Sequence, residues 1–354
     1  DPRSDTNKQH NLVDVVFLVL SAVLSGADGW KAIQDFGDLQ LAWLRQYRPF
    51  TKGIPRRHCI ANIIKALDSQ LLLQAVFGWI NERREQEGKP VIAMDGKTMR
   101  GAWSGDVTKA LHVISAFDVG RGIALYQECT DSKGKEVEVA RQIIDALALD
   151  GAIVTLDALH CQTETMSGIA KGKGDFVIQL KGNQPGLLEH VQSCFAEHYD
   201  DARLDTYEQG NQGHGRSEQR TIMRLEADLP KALRKKWPHI HTVIEVVSER
   251  TTEQGTSYVS RWYVSSLRDT SAEELAGIIR GHWAIENNLH WVLDVAFRED
   301  SLKVSDPTGA KHLALFNRAG LSIIKQHRGK KDSIAAKRRG ASWSGEFRAE
   351  LLFG

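Results

Sequence analysis

Three acidic residues in this chain stand where a solvent-facing acid is not the simplest expectation. Asp95 closes the apolar run Val91–Met94, and Asp157 closes the run Ala152–Leu156. Buried strands commonly end in turn residues, and aspartate is a common one, so either residue alone reads equally well as a turn. Two of them at the ends of strands expected to lie side by side point further. Ligands in α/β sheets gather at the carboxyl ends of the strands. Glu286 flanks a helical stripe of Ile278, Ile285, Leu289, Val292 and Ala296, spaced as the buried face of an amphipathic helix. A carboxylate at the edge of such a face is costly unless it is paired or holds a metal. Brought together, the three make a hard, all-oxygen site, suited to Mg²⁺, with Mn²⁺ as a substitute, better than to zinc.

That site suits phosphoryl transfer on DNA, in which two ions about 3.5–4 Å apart serve an in-line displacement. The carboxylates do not separate an enzyme that joins strands from a nuclease that only cuts. His282, Glu286 and His290 recur at i, i+4 and i+8, which also admits a zinc site. No cysteine or third histidine stands nearby at metal spacing, so the histidines are expected to flank the site or bind phosphate.

The elements that must position these groups follow from periodicity. Apolar runs at Leu12–Leu24, Ile33–Trp43 and Ile60–Trp79 predict a helical N-terminal region. Val91–Met94, Leu111–Phe117 and Gly122–Gln127 read as strands, the last two joined by the turn at Asp118–Arg121. A helix over Lys135–Leu149, a strand at Ala152–Leu156, a helix over Cys161–Gly172, a strand at Phe176–Leu180 and a helix near Leu187–His198 complete a βββαβαβα order. This predicts an antiparallel hairpin sheet extended by parallel strands through helical crossovers. Strands at Thr221–Leu225, His241–Ser248 and Tyr258–Ser265 interrupt the α/β pattern before one helix over Ala272–Ala296. No Pro/Gly/Ser-rich spacer flanks them, so they read as an insertion.

Further candidates surround the acids. Lys97 follows Asp95 by two residues, and Lys181 and Gln184 follow the fifth strand. Each is a candidate DNA contact beside the plainer reading of a surface lysine or a turn residue. His214, Arg216, Glu218 and Arg220 alternate on one side of an expected strand, either as a solvated face or as a strand meeting phosphate with Glu218 orienting an arginine. Arg280 joins this DNA-binding set. Trp283 and Trp291 are expected as core anchors.

Composition bounds the rest. The chain has 354 residues, 42% of them hydrophobic and 26% charged, with a formal net charge of +1. It is long enough for more than one domain, and bulk charge names no partner. Charge is uneven, however: from Leu321 to Gly354 eight Lys/Arg stand against three acids, a local excess of five. A basic tail of that kind suits a phosphate backbone or simply solvent. The cysteines Cys59, Cys129, Cys161 and Cys194 form no CxxC pair, which fits a reducing cytoplasm. The run Val15–Leu24 is too short to span a bilayer, and the abutting Asp14 favours a buried helix over a signal sequence. The chain opens on Asp1, so further residues are expected before it.

Five segments together resemble one family. They are Met94–Thr98, Leu156–Gln162, Leu180–Gln184, Gly213–Arg220 and His282–Trp291, and in this order they resemble the ISAs-type insertion-sequence transposases. That family includes the H-repeat-associated proteins found beside Rhs elements. The likeness spans nearly the whole chain, including Leu24–Asp28. It implies a ribonuclease-H-like mixed sheet flanked by helices, a β-rich insertion before the third carboxylate, and a DDE triad carried by Asp95, Asp157 and Glu286. The wider superfamily places Tyr, Arg, Glu and Lys at fixed spacing on the glutamate helix. Here those positions hold Ile279, His282, Glu286 and Leu293, so only the glutamate matches.

The expected organisation is a helical domain over 1–88 for DNA binding or dimerisation, a catalytic core over 89–200 and 269–328, a β insertion over 201–268, and a basic tail over 329–354. The expected function is Mg²⁺-dependent cleavage and joining of insertion-element ends. The expected partner is double-stranded DNA, bound by a homodimer in the bacterial cytoplasm. Two alternatives stand beside it: a domesticated DNA-binding protein without activity, and a nuclease that does not join.

Overall fold

Apolar periodicity builds four N-terminal helices: α1 (Leu12–Leu24), α2 (Trp30–Leu44), α3 (Arg57–Lys65) and α4 (Ser69–Glu82). The run expected as one helix over Ile60–Trp79 is two, because Asp68 accepts from the Leu71 amide and starts a new helix. On α1, Val15, Leu18, Val19, Ala22, Val23 and Leu24 are fully buried. Asp14 is buried as well, and accepts hydrogen bonds from Arg48 Nε and the Phe50 amide, each at 3.0 Å. The computed structural model describes residues 1–354 except 5–7, 83–88, 100–110, 131–132, 200–202, 214–215, 303 and 305. The expected domain limits at 88 and 200 fall outside the described residues.

The central sheet follows: β1 (Val91–Met99), β2 (Leu111–Asp118), β3 (Ile123–Thr130), α5 (Glu136–Ala146), β4 (Ile153–Leu156), α6 (Thr163–Lys171), β5 (Asp175–Leu180) and α7 (Pro185–Glu197). β1, β2 and β3 pair antiparallel, while β1–β4 and β4–β5 pair parallel. This is the ribonuclease-H-like arrangement, with the βββαβαβα order expected from the sequence.

The β-rich segment contains four strands: β6 (Asp205–Gly213), β7 (Arg216–Glu226), β8 (Thr242–Thr252) and β9 (Gly255–Ser265), with α8 (Lys231–Lys236) between β7 and β8. These strands do not form a separate body. β9 pairs antiparallel with β5, from Val177 opposite Ser265 to Leu180 opposite Trp262. The result is one nine-stranded sheet in the order β3-β2-β1-β4-β5-β9-β8-β7-β6. α9 (Ala272–His282) lies across the join, burying Leu275, Ile278 and Ile279 against Ile153, Val177, Ile222 and Ile244. Its capping box, Ser271 with Glu274, sets where the helix begins.

The expected single helix over Ala272–Ala296 is broken. A π-helical turn over Glu286–His290 separates α9 from α10 (Trp291–Ala296), and the Trp291 amide bonds to the Glu286 carbonyl. Such widened turns often occur at functional sites. Trp283 and Trp291, expected in the core, are 49% and 61% exposed.

α11 (Pro307–Gln326) runs through the middle of the molecule and packs against α1, α3, α4, β2 and β3. The N-terminal helices and the sheet therefore share one core. The segment 329–354 is not a solvated tail: it forms α12 (Ile334–Trp343) and α13 (Gly345–Phe353). Arg338 donates from Nε and Nη2 to the Val23 carbonyl, at 3.2 and 2.7 Å. Arg348 donates to Ser25 Oγ and to the Ala341 carbonyl, both at 2.9 Å, and its guanidinium stacks on Trp43. Arg338 thus satisfies a carbonyl at the end of α1, and Arg348 one in the last turn of α12, where a helix leaves acceptors unpaired and carries partial negative charge. No single helix among the described residues is long and apolar enough to cross a membrane.

Candidate active site

Asp95 sits within β1 opposite Ser115 of β2, and Asp157 directly follows β4. Glu286 opens the π-helical turn. All three carboxylates line one cavity of about 160 Å³, together with Thr155, Gln179, Lys181, His282 and Trp283. The structure thus brings the three acids together.

Their environments differ. Burial pushes the Asp95 carboxyl up to about 7; the Gly96 amide opposes this, and the charges of Glu286, Asp157 and Glu136 add to it. A carboxylate so placed gains from a divalent cation, whose charge reverses the local balance. Asp157 also caps the short turn Ala158–His160 by accepting from the Leu159 amide at 3.0 Å, so the turn reading of this residue holds too. Glu286 is exposed. Donor chemistry and charge therefore fit a hard divalent ion bound by Asp95, Asp157 and Glu286.

Behind the strand ends lies a buried network that sequence reasoning missed. Thr98 Oγ1 pairs with His112 Nδ1 at 2.9 Å, and His112 Nε2 pairs with Glu136 Oε2 at 3.1 Å. Glu136 Oε1 lies 3.9 Å from His160 Nε2, which lies 3.9 Å from Asp157 Oδ1. Burial raises the Glu136 carboxyl, but His112 and His160 outweigh it and hold the group at about 2. The bridge spans β2, the start of α5 and the Asp157 turn. It needs Gly96: a Cβ there would stand 2.6 Å from both Glu136 Oε1 and His112 Nε2. His160 lies within the segment Leu156–Gln162, while Glu136 looks in sequence like an ordinary acid in a helix's first turn.

Several DNA-contact candidates have other work. Lys97 is 8% exposed and pairs with Asp294, with Glu299 at 3.3 Å and with Asp300 at 3.7 Å. Glu299 is fully buried, and Arg318 Nη1 donates to it at 2.8 Å. Burial would raise Glu299, but Arg318 and Lys97 overcome it and hold the carboxyl below its ordinary value. Lys97 is thus an internal counter-ion. Gln184 donates its amide to the Cys161 carbonyl at 3.0 Å, and Asn183 donates to the Ala158 carbonyl at 2.7 Å. Both stitch the loop after β5 to the Asp157 turn.

His282 Nδ1 pairs with Thr155 Oγ1 at 2.9 Å, and burial lowers its pKa. Where the superfamily signature has arginine, this chain therefore offers a neutral ring. His290, at the far end of the π turn, faces Asp95. Lys181 is exposed on the cavity wall. Arg220 and Arg280 line an adjoining groove of about 550 Å³ between the insertion strands and α9, with Arg261, Trp283 and Asn287. Glu218 pairs with Arg220 at 3.3 Å, and Arg280 donates to Gln209 at 3.2 Å. Arg216 opens β7 opposite Gly213, and His214 lies outside the described residues.

Fold and site define the class: a ribonuclease-H-like α/β protein with an acidic pocket at the carboxyl ends of its central strands. Residues 86–319 match the family described as Transposase DDE domain, and residues 1–80 match the one described as DDE_Tnp_1-associated. The chain belongs to the transposases that carry this DDE domain. It is 31% identical over 363 residues to the H repeat-associated putative transposase YhhI of Escherichia coli (strain K12), covering 100% of this chain and 95% of that protein. It is also 31% identical to the putative transposase YncI of Escherichia coli O157:H7, covering 96% and 88%. A 55-residue stretch is 46% identical to the inactive transposase YbfQ of Escherichia coli (strain K12), covering 16% of this chain and 66% of that protein. Among solved structures, a piggyBac transposase synaptic complex with hairpin DNA matches at 10% identity, covering 100% of this chain and 76% of that one, with a TM-score of 0.44. The fold assignment rests on the strand order and not on that likeness.

Proposed function

We propose that this chain is an active DNA transposase, cutting and joining the ends of an insertion element with Asp95, Asp157 and Glu286 as its catalytic triad. The observation that carries this is the convergence of three acids, from β1, from the end of β4 and from the π turn, on one cavity. Divalent ions, Mg²⁺ in the cell with Mn²⁺ as a substitute, supply Lewis acidity for an in-line displacement at phosphorus when bound.

The chain's own residues do the rest. Asp95, Asp157 and Glu286 hold the ions; Thr155 fixes the His282 ring on the cavity wall; Lys181, lining the same cavity, meets a phosphate. Arg220 and Arg280 continue the basic surface away from the acids and bind backbone phosphates. The partner is double-stranded DNA, both element ends and target, engaged by a homodimer in the bacterial cytoplasm.

Calorimetry of Mg²⁺ and Mn²⁺ binding to the wild type and Asp157→Ala, with cleavage of DNA carrying the native element ends, tests this. Metal binding and cleavage that both vanish in the variant support the triad. Strand transfer in the same reaction separates a transposase from a nuclease. A wild type that binds DNA but neither binds metal nor cuts is a binding protein only, and the proposal fails.

A further inference from the structure

The two ends of the π turn differ in how they use their side chains. Glu286 is exposed at the cavity mouth. His290, four residues on, is 7% exposed, and its Nε2 is sealed with no hydrogen-bond partner. Its Nδ1 lies 3.6 Å from Asp95 Oδ2, beyond hydrogen-bond reach. A ring buried this deeply is ordinarily hydrogen-bonded; among the described residues this one makes no hydrogen bond and turns Nδ1 toward a carboxylate.

The spacing has a ready explanation. One ligand atom each from Asp95, Glu286 and His290 lie within 4.8 Å of one another. Donors around a single octahedral ion with bonds of about 2.1 Å stand about 3 Å apart when adjacent and about 4.2 Å apart when opposite. A gap of 3.6 Å, too long for a hydrogen bond, falls within that range.

We infer that His290 is a nitrogen ligand to the divalent ion bound between Asp95 and Glu286. The inference rests on the proposed triad and adds a residue to it. It makes the two ion positions chemically unlike: the one shared by Asp95 and Asp157 is all-oxygen, and the one at the π turn is mixed oxygen and nitrogen. An imidazole nitrogen is a poor donor for hard Mg²⁺ and less so for Mn²⁺, the hardest of the first-row transition ions, so the π-turn position shifts toward Mn²⁺ relative to the all-oxygen one.

Electron spin-echo spectroscopy of the full-length protein loaded with Mn²⁺ reads this directly, without turnover. The expected result is a ¹⁴N coupling on bound Mn²⁺ that changes to a ¹⁵N coupling when histidine alone is ¹⁵N-labelled. That labelling leaves folding untouched. The coupling should survive His282→Gln and vanish in His290→Gln. The same His290→Gln variant should bind Mn²⁺ at least about 10-fold more weakly, the lower end of what losing even an outer partner of a metal ligand costs, and Mg²⁺ with a smaller loss. Bound Mn²⁺ without nitrogen coupling, in a protein whose Mn²⁺ affinity falls in Asp157→Ala, overturns the inference and leaves the triad standing. A coupling that disappears in His282→Gln and persists in His290→Gln also overturns it. A wild type that takes up no Mn²⁺ overturns both.

Discussion

The two halves of the pocket are built in opposite ways. The strand-borne half, Asp95 and Asp157, is backed by fully buried strands and by the Thr98–His112–Glu136–His160 network. The helix-borne half, Glu286 and His290, sits on an interrupted helix whose outer residues Asn287 and Asn288 are exposed. A sheet places an acid by main-chain pairing and tolerates almost no local freedom. A π turn places one by departing from the regular repeat, and that departure aims Glu286 and His290 at the same carboxylate. One half is held in place by its surroundings; the other stands on a local break in its helix.

The largest expected effect tests whether the halves act as one site. Asp157→Ala and Glu286→Gln should each reduce strand cleavage by about 1,000-fold or more, since losing a metal-borne contribution of several kcal/mol costs tenfold per 1.36 kcal/mol. Comparable losses in single-turnover cleavage would unite the halves, and a mild Glu286→Gln defect would separate them.

Next comes the frame behind the strands. Arg318→Met leaves Glu299 fully buried with Lys97 as its remaining counter-ion. It should lower the free energy of unfolding by about 3 kcal/mol in a urea titration, the scale for breaking a buried pair. Stability unchanged by this variant would mean the strand half does not depend on its buried ions.

Smaller again is the pH response of Asp95. Its ordinary value is 3.8, and in the folded chain it is about 7. Below pH 3.8 folded and unfolded chains both hold the proton, and the group costs nothing. Above pH 7 the folded chain bears the full cost of a crowded, buried charge. Stability of the metal-free protein therefore falls as pH rises between these values. With a side chain 22% exposed, solvent screening reduces the effect. Asp95→Asn should raise metal-free stability by roughly 2 kcal/mol at pH 8 and leave it unchanged at pH 3. Thermal melts in chelator check this, and an equal gain at both pH values would remove charge as the cause.

The smallest effect belongs to the helix half. Asn287→Ala, on an exposed position, should change stability by less than about 0.5 kcal/mol. A larger loss would show that the π turn is held by its own side chains.

The strand half was the legible one. Bare apolar runs ending in Asp95 and Asp157 announced their strands, and their order announced the sheet. β6, at one edge of the sheet, was missed because Asp205–Gly213 carries no apolar alternation. The π turn was missed because Glu-Asn-Asn-Leu-His reads as ordinary helix. Lys97 was misread because its counter-ions arrive nearly 200 residues later in the chain. The C-terminal arginines were misread for the same reason: charge density is local in sequence, whereas the carbonyls that Arg338 meets belong to Val23 of α1 and Ala296 of α10. Pairings across such distances leave no periodic trace.

The contact of Arg338 and Arg348 with the end of α1 also bears on how the chain is made. Val23 and Arg338 are 315 positions apart and Ser25 and Arg348 are 323 apart, so at about 5–20 residues per second the ribosome takes roughly 15–65 s to travel between partners. Throughout that interval the carbonyl of Val23 and the hydroxyl of Ser25 are without their arginine partners. Helix α1 is thus finished only after α12 and α13, which are made long after it, supply its partners.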